Sequence, residues 1–509
     1  MIPVAHPTEH TPAGSGAAPL LKSGAQSLAE QLAGRFAQRM RDRLLSPGAR
    51  LPSVRQCAAQ QGVSPSTVVA AYDLLLAQGL VEARRNRGFF VREGGTALGR
   101  EGRGAGIGPA AGVPGASGRA ALAPAGLGPL EEAVAHEAPL NATALIRGMF
   151  HGISDKPQPG MGVLPPEWLQ SSFLASALRR VSGAQALNSL SLQYGEPAGD
   201  AGLRQVLAQK LGDMPLAVRP GQIITTMGAT HALDIISRTL LRAGDPVMVE
   251  EPGWAVEFAR LNALGMRILP VPRRADGPDL DVMERYCQAH APKLFVSVSV
   301  LHNPTGYCLP PAAAHRVLQL ATRHDFHIVE DDTYGHFAPP HATRLSALDG
   351  LQRTLYVGGF AKILAPNWRV GFLAAPQGLV QPLLDTKLLS SLTTPALLER
   401  ALAWCIEQGL LRRHAERIRQ RLDAARNRSV KLAQAHGFAF AAEPVGLFGW
   451  LQTGVDTDAL AQRMLDDGYL LAPGALFHAN RAPSSLMRIN FVTTQEPAFW
   501  ETLRQRCSP

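Results

Sequence analysis

The chain has 509 residues, and a single hydrophobic core seldom extends beyond about 250 to 300 residues, so this length predicts more than one domain. Hydrophobic residues make up 46% of the chain and charged residues 18%, which excludes a chain that is disordered throughout. The net charge of +9 is concentrated between Arg35 and Arg92, where ten arginines and no lysine stand against three acidic residues, a balance of 10 − 3 = +7. This concentration predicts a polyanionic partner, and nucleic acid is favoured over a membrane surface because the cations are not confined to one helix. The alternative is that these arginines only form a solvated surface and bind no polyanion.

The cysteines and the absence of targeting patterns predict a cytoplasmic protein. Five scattered cysteines without a Cys-x-x-Cys pair argue against a disulfide framework or a zinc ribbon and indicate reduced thiols. The first 26 residues lack the continuous apolar stretch of a secretory signal, and no apolar run approaches the roughly 20 residues of a membrane span.

Composition divides the chain into four segments. Residues 1–26 are predicted to be a disordered tail, and residues 27–92 a small DNA-binding domain. Residues 93–140 are rich in Gly, Ala and Pro without an apolar period, which predicts a flexible linker. Residues 141–509 form the large domain.

The small domain contains two helix patterns around a short turn in LPSVRQCAAQQGVSPSTVVAAYDLLLAQGL. Ser64 is a good N-cap and Pro65 suits the first helical position. One face of the second helix is predicted to be buried, and it carries Val68, Tyr72, Leu75 and Leu76. A helix, a Gly-containing turn and a second helix predict a helix-turn-helix, in which the second helix enters the major groove of DNA.

The stretch that follows, ARRNRGFFV, predicts a basic wing with a turn at Arg87-Gly88. From about Leu28 to Val91 the chain resembles the winged helix of the GntR family of bacterial regulators, on LPSVR, GVSPSTVVAAYDLL, GL and RGFFV. The resemblance implies DNA contacts at phosphates from Arg55, Ser66 and Thr67, in the minor groove from Arg87 and Gly88, and from Ser64 at the helix start.

The chain departs from this family at Pro65 and Ala70, where relatives often carry Arg. Arginine supplies much of the direct readout of guanine, so operator choice is expected to depend more on DNA shape and on wing contacts. A three-helix domain that serves only protein contacts is the alternative.

In the large domain, short β-branched strands alternate with amphipathic helices. The alternation predicts a mostly parallel α/β sheet with helices on both faces, and ligands of such sheets gather at the carboxyl ends of the strands. The predicted strands lie in QIITTM, DPVMVE, KLFVSVSV, FHIVEDD and RTLYVGGF.

Several strand ends carry chemically specific side chains. GGFAKILAPNWRVGF places Lys362 after a strand with Arg369 seven residues on, a pair suited to an imine-forming amine and a phosphate. VEDDTYGHF supplies Asp331, which could keep a pyridine nitrogen protonated, and Tyr334. LHNPTG supplies Asn303, an amide for the same ring's hydroxyl oxygen. Acidic pairs at strand ends are also common in metal sites, but no ligand partners recur at metal-binding spacing, so no metal is predicted.

Two further segments fit an aromatic phosphate ester. TMGATHALDII is a small-residue turn that enters a helix, so the amides of Ala229 and Thr230 would face an anion. EEPGW places Trp254 after a strand, where it could stack on a cofactor ring. Taken alone, a Gly-Ala-Thr turn is a weak signal, and an aromatic after a strand is more often part of a core.

Together these segments resemble the fold type I aminotransferases of class I and II over nearly all of residues 150 to 500. The resemblance implies pyridoxal 5'-phosphate bound as a Schiff base to Lys362, and a small C-terminal α+β subdomain. Around the cofactor it implies Asp331 at the pyridine nitrogen, Asn303 and Tyr334 at the ring hydroxyl, Trp254 stacked on the ring, and Ala229, Thr230 and Arg369 on the phosphate. It also implies a homodimer, in which Tyr194 of YGEPAGDAGLR reaches the phosphate of the other subunit, and it assigns Arg488 of LMRINF to a substrate or effector carboxylate.

Three positions depart from the enzymes of this family. Serines that commonly stand three residues before the lysine and directly before it are replaced by Gly359 and Ala361, which could weaken retention of the phosphate. Trp368 replaces a smaller aliphatic residue and is expected to narrow the site.

The order winged helix, linker, aminotransferase-like domain resembles the MocR subfamily of bacterial regulators. The resemblance implies a DNA-binding regulator whose large domain senses an amino compound, or pyridoxal phosphate itself, through Lys362. Two alternatives stay open: an active aminotransferase with an accessory winged helix, and a large domain that has lost the cofactor and only dimerises.

Overall fold

The computed structural model describes residues 26–41, 45, 48–84, 88–92, 142–148, 154–339 and 341–508. These fall into two compact units, one on each side of the Gly-rich segment, and each is described by itself. The predicted tail, apart from its last residue, and the predicted linker lie outside the described residues, as does Arg87.

The small unit is a helix-turn-helix followed by a two-stranded wing. Its elements are α1 (Leu28–Arg41), α2 (Val54–Gln61), α3 (Pro65–Ala77), β1 (Val81–Arg84) and β2 (Gly88–Val91). Side chains cap the helices as the sequence predicts: Ser64 Oγ accepts a hydrogen bond from the amide of Thr67, and Pro65 occupies the first position of α3. Gly62 ends α2 at a φ of 63°, a left-handed conformation that glycine adopts without steric cost.

The core of the small unit lies where α3 packs between α1 and the wing. Val68, Ala71, Tyr72 and Leu75 are buried, whereas Leu76 is only partly buried, so the predicted face is rotated slightly toward Ala71. The ring of Tyr72 contacts Phe36 edge-on, and its hydroxyl donates to the carbonyl of Pro52 at 2.8 Å. This bond satisfies a polar atom inside an otherwise apolar core.

Replacing Leu75 by alanine should destabilise the small unit by about 2–5 kcal/mol, because Leu75 is fully buried and the change leaves a cavity. Hydrogen exchange of the α1 and α3 amides in the full-length protein measures the loss. The matched change Val69→Ala, on the exposed side of α3, should cost less than about 0.5 kcal/mol. If the amides of α1 and α3 were equally protected from exchange in the Leu75→Ala and Val69→Ala variants, Leu75 would not contribute to the core.

The large unit contains fifteen described helices and twelve described strands. The strands are β3 (Ile223–Thr226), β4 (Pro246–Glu251), β5 (Arg267–Arg274), β6 (Gly277–Pro278), β7 (Leu294–Ser297), β8 (His327–Asp331), β9 (Thr354–Gly359), β10 (Gly371–Ala374), β11 (Ala439–Phe440), β12 (Phe448–Gln452), β13 (Ala472–Pro473) and β14 (Leu486–Asn490). The helices are α4 (Ala142–Gly148), α5 (Pro166–Leu169), α6 (Phe173–Val181), α7 (Ala184–Ser191), α8 (Ala201–Gly212), α9 (Ala229–Leu240), α10 (Ala255–Ala263), α11 (Leu280–His290), α12 (Pro311–His324), α13 (Leu345–Asp349), α14 (Val380–Ser391), α15 (Ala396–Glu407), α16 (Leu410–Ala435), α17 (Thr457–Asp466) and α18 (Pro497–Cys507).

Eight strands form the main sheet in the order β3-β10-β9-β8-β7-β4-β5-β6. The strands from β9 to β5 are parallel, which confirms the predicted sheet, while β10 pairs antiparallel with both β3 and β9. Alternate residues of β4 face opposite layers: Val247 and Val249 pack with α9 and α10, and Met248 packs with α11 and α12. Helices therefore cover both faces, and the carboxyl ends of the parallel strands stay open to a ligand.

The predicted C-terminal α+β subdomain is present as a second, antiparallel sheet in the order β11-β12-β14-β13. The long helix α16 precedes it, and α17 and α18 accompany it. In the part of the chain that the structure describes, no helix is long and apolar enough to cross a membrane.

Candidate functional site

Lys362 lies just beyond the carboxyl end of β9, and its amine is set up to lose a proton. Nζ donates to the carbonyl of Gly162 at 2.7 Å. Burial, with the nearby cation of Arg488, lowers the pKa of Lys362 to about 8, although the carboxylate of Asp331 opposes the shift. A larger fraction of the amine is therefore neutral and nucleophilic near neutral pH than in an ordinary lysine.

Asp331 ends the neighbouring strand β8 and presents one carboxylate oxygen to the site. Both the amide and the hydroxyl of Thr333 donate to Oδ1. Among the described residues none donates a hydrogen bond to Oδ2. Burial raises the pKa of Asp331 to about 6, against the two Thr333 hydrogen bonds. A cationic N–H beside Oδ2 would stabilise the ionised form.

Trp254 stands beside Asp331. The two residues line one small pocket together with Glu257 and His302, and Trp254 is partly buried at the start of α10. An indole at this place offers a flat apolar surface next to the carboxylate that an aromatic nitrogen would need.

A hydrogen-bonded chain joins the main sheet to the small one. Asn303 Nδ2 donates to the hydroxyl of Tyr334 at 3.4 Å, and Arg488 Nη1 donates to Asn303 Oδ1 at 3.0 Å. Burial raises the pKa of Tyr334 above its ordinary value, so the phenol is protonated. An acceptor and a donor thus lie together at the position where a ring hydroxyl would bind.

Arg488, in the middle of β14, is a buried cation without a carboxylate partner among the described residues. Nη2 donates to the carbonyl of Gly160 at 2.6 Å, and the guanidinium lies 4.4 Å from the ring centre of Phe448 and 5.2 Å from that of Phe477. Nε is buried and makes no hydrogen bond to any described residue. Burial lowers the pKa of Arg488 to about 10, which still leaves it charged at neutral pH. Such a group is suited to bind an incoming anion.

The start of α9 forms a loop for a second anion. Gly228 has a φ of 84°, and the carbonyl of Gly228 accepts the first helical hydrogen bonds from His231 and Ala232. The amides of Ala229 and Thr230 precede those bonds and point out of the helix end. Arg369 Nη2 donates to the carbonyl of Met227 at 3.0 Å, and a Cβ on Gly228 would lie 2.7 Å from that nitrogen. Glycine is favoured there because other residues rarely adopt a φ of 84°, and a side chain would also displace the guanidinium.

The three departures from the aminotransferase pattern lie in different surroundings: Gly359 and Ala361 stand near the candidate site, and Trp368 packs against helices. A Cβ on Gly359 would lie 3.6 Å from the amide nitrogen of Ala229, so a serine there would face the anion loop and this chain lacks that hydroxyl. Ala361 directly precedes Lys362 and is partly buried. Trp368 packs beside Ala177 and Cys405, a contact that the expectation of a narrowed site did not include.

Several contacts of the site were not predicted from the sequence. The loop with Gly160 and Gly162 supplies carbonyls to Arg488 and Lys362, yet it lies about 330 and 200 positions away from them, respectively, and contains no motif. Phe448 and Phe477, which flank Arg488, were not predicted to lie near the site. Only Thr333 had a usable signal, because an aspartate side chain commonly accepts a hydrogen bond from the backbone amide two residues on.

Tyr194 stands apart from this constellation. Its side chain is 83% exposed, and the neighbouring Leu192 is 79% exposed. A Cβ on Gly195 would lie 3.5 Å from the carbonyl of Thr394, so this segment is adjacent to the end of α14, where Leu389 is 92% exposed. The unit therefore presents a patch of large apolar side chains to solvent.

In the small unit, the predicted DNA-contacting residues that the structure describes are exposed or partly exposed. Arg55 is exposed in the first turn of α2. Ser64 Oγ lies 2.8 Å from both Ser66 Oγ and Thr67 Oγ1, so three hydroxyls cluster at the start of α3. Gly88 begins β2 at a φ of 99°, and Arg50, which was not predicted, is so near that a Cβ on Gly88 would lie 3.3 Å from its Nε.

Comparisons with known proteins match both units. Residues 28–91 match the bacterial regulatory proteins of the gntR family, and residues 169–498, more than half of the chain, match aminotransferase class I and II. Among solved structures, the α-aminoadipate aminotransferase LysN of Thermus thermophilus, in complex with N-(5'-phosphopyridoxyl)-L-leucine, is similar with a TM-score of 0.65 and 26% identity, over 71% of this chain and 94% of that one.

Two relatives match long stretches of the chain, and the first spans both units. A protein named as an uncharacterized HTH-type transcriptional regulator, YjiR of Escherichia coli, is 26% identical over 488 residues, 94% of this chain and 97% of the relative. The probable rhizopine catabolism regulatory protein MocR of Rhizobium meliloti is 31% identical over 402 residues, 77% of this chain and 74% of the relative. The chain therefore belongs to the aminotransferase class I and II family and, within it, to the MocR-type transcription regulators, in which a GntR winged helix precedes that domain.

Proposed function

We propose that this protein is a DNA-binding regulator that holds pyridoxal 5'-phosphate at Lys362 and changes its hold on DNA when an amino compound reaches the same site. The observation that carries the proposal is the amine of Lys362, which donates to the carbonyl of Gly162 and whose pKa is lowered by burial and by the nearby cation of Arg488, in a chain that also has a winged helix.

The donor set fits the cofactor group by group. Asp331 Oδ2 is suited to the pyridine nitrogen, Trp254 to the ring face, and Tyr334 with Asn303 to the ring hydroxyl. The amides of Ala229 and Thr230, together with Arg369, are suited to the phosphate, since a helix start and a guanidinium both favour an anion. When bound, pyridoxal phosphate supplies a carbonyl that captures amines and a ring that withdraws electrons.

Arg488 is the group proposed to select the effector. Its planar fork pairs with a carboxylate through two parallel hydrogen bonds, and Nε is the buried donor without a described partner. An effector with both an amine and a carboxylate would therefore place its amine near Lys362 and its carboxylate at Arg488. Such an effector regulates only if it binds two arrangements of the protein with different affinity.

We further propose a cytoplasmic homodimer that binds double-stranded DNA. The exposed patch around Tyr194, Leu192 and Leu389 would be buried in a symmetric interface, which would bring Tyr194 to the phosphate of the other subunit. Two winged helices in one dimer would bind two DNA half-sites. Each would use the residues already named on its surface: Arg55, Ser64, Ser66, Thr67 and Gly88, with Arg87 outside the described residues.

An aminotransferase reaction is the second candidate. It is supported by the presence of Lys362, Asp331 and Arg488 in one site and by relatives such as the 2-aminoadipate transaminase of Thermus thermophilus, which is 28% identical over 362 residues. Multiple-turnover transamination of an amino acid panel with 2-oxoglutarate would favour it. Spectral change without turnover would favour the regulator.

Lys362→Ala should abolish the visible absorbance of the aldimine, the covalent retention of the cofactor after borohydride reduction, and the response of promoter binding to pyridoxal phosphate and amines. The assay uses DNA that flanks the protein's own gene, and Lys293→Ala, an exposed lysine, is the control. In wild-type apoprotein the rate of cofactor attachment should rise with pH and level off above about 8, because only the unprotonated amine reacts. A wild type that stays colourless after cofactor is added would refute the proposal.

Arg488→Lys should weaken binding of amino acids at least about tenfold, or about 1.4 kcal/mol, because an ammonium cannot form the two parallel bonds. Titration of the absorbance change measures the affinity. An amine without a carboxylate serves as the internal control and should bind both proteins alike. A similar loss for both ligands would show that Arg488 supports the fold of the site instead of reading a carboxylate.

Arg55→Ala should weaken binding to many DNA sequences alike and reduce the slope of log affinity against log salt by about one unit, as expected for one lost phosphate contact. The neighbouring exposed Gln56 provides the control, Gln56→Ala. An unchanged slope in the Arg55 variant would remove Arg55 from the DNA surface.

A further inference from the structure

The long helix α16 carries an unusual concentration of positive charge. Its 26 residues include seven arginines and one lysine but only Glu416 and Asp423 as acids. With about 100° of rotation per residue, five of the cations fall within an arc of about 80° on the exposed side of the helix. This cationic stripe consists of Arg413, Arg417, Arg421, Arg428 and Lys431, all of which are exposed.

Neutral groups hold four of these side chains in place. Arg413 Nη2 donates to the carbonyl of Gln408 at 3.2 Å, and Arg428 Nε donates to the carbonyl of Gln495 at 2.9 Å. The guanidinium of Arg421 lies 4.2 Å from the ring centre of Trp168. These contacts orient the guanidinium groups without cancelling their charge.

The fourth contact also involves an uncharged partner. Arg417 Nη2 lies 2.7 Å from His414 Nδ1, and His414 Nε2 lies 2.8 Å from the carbonyl of Ile363. Burial lowers the pKa of His414, so the imidazole is neutral, donates through Nε2 and accepts through Nδ1. Within the described part of the chain, no carboxylate lies within ion-pair distance of any of the five cations.

Several arginines elsewhere in the large unit are paired with acids. Arg238 pairs with Asp234, Arg353 with Asp325 and Arg506 with Asp467, each at 2.7 Å. On α16 itself, Asp423 pairs with Arg426 at 2.8 Å, on the side away from the stripe. Like charges four residues apart destabilise a helix, so Arg413, Arg417 and Arg421 impose a cost that neighbouring acids do not offset.

We propose that the cationic stripe binds the phosphate backbone of the DNA that the winged helix recognises. The inference rests on the proposed DNA-binding function and adds a second contact to it. From Arg413 to Lys431 the helix extends about 27 Å, which matches about eight base pairs of duplex and its dense row of phosphates. Contacts of this kind carry no sequence information and raise affinity for any sequence alike.

The test is the salt dependence of DNA binding by the full-length protein. The double variant Arg413→Gln with Arg428→Gln removes both ends of the stripe and leaves Arg421 on Trp168. On a mixed-sequence duplex of 60 base pairs, its slope of log affinity against log salt should be shallower than that of the wild type by about 1.8, or about 0.9 for each lost contact. Lysine at the same two positions should restore the slope because the charge returns.

The matched control is Arg219→Gln with Arg242→Gln, two exposed arginines outside α16, and its slope should equal that of the wild type. An equal decrease in the control would mean that net charge alone acts, and would overturn the proposal. So would an unchanged slope in the α16 variant, or a loss of binding to polyglutamate with DNA binding intact, which would indicate an acidic protein partner. Wild-type protein that fails to bind the duplex at low salt would instead refute the DNA-binding function itself.

Discussion

The buried guanidinium of Arg488 is the interaction on which the candidate site depends. It belongs to the small antiparallel sheet, yet its hydrogen bonds run to Asn303, at the edge of the main sheet, and to the carbonyl of Gly160. A cation in such surroundings pays a large desolvation cost, which hydrogen bonds and two aromatic rings offset only in part. Burial is the larger cause of the lowered pKa of Lys362, and the charge of Arg488 lowers it further and raises the affinity of the site for an anion.

This arrangement explains how one site can serve as a chemical sensor. Lys362 requires a lowered pKa to react with a carbonyl, and Arg488 contributes to it from the other sheet. An anionic ligand that neutralises Arg488 would weaken that influence. Ligand binding at Arg488 and the reactivity of the amine are therefore physically linked.

The absence of a serine hydroxyl at position 359 affects how tightly the site would hold the cofactor phosphate. The anion loop keeps its helix amides and Arg369, but a serine at position 359 would have faced the amide of Ala229. A phosphate held by fewer donors binds less tightly, so the cofactor would exchange more readily. Ready exchange suits a regulator that senses the cofactor more than it suits an enzyme that uses the cofactor for repeated turnover. The anion loop thus agrees with the regulatory proposal.

Local sequence determined the caps, the strands and the identity of most site residues. Ser64 and Pro65 start α3, the β-branched runs form β4, β7 and β8, and Lys362, Asp331, Asn303 and Tyr334 follow strand ends, because capping and sheet propensity act over a few residues. Two parts of the fold were beyond such reasoning. Strand β10 inserts antiparallel between β3 and β9, and Leu76 is only partly buried, since neighbours distant in sequence decide both.

Tertiary structure alone decided what surrounds those residues. The sequence identified Lys362 and Arg488 as separate motifs, but only the fold shows that Gly162 accepts a bond from one, that Gly160 accepts a bond from the other, and that both amine and guanidinium are desolvated. Likewise, the arginines of α16 were visible in the sequence, whereas their neutral partners Trp168, His414 and Gln495 come from packing. The sequence determines which residues carry a charge. Their burial and their partners depend on contacts between residues that are hundreds of positions apart, and burial and partners set the pKa values and the direction of each side chain.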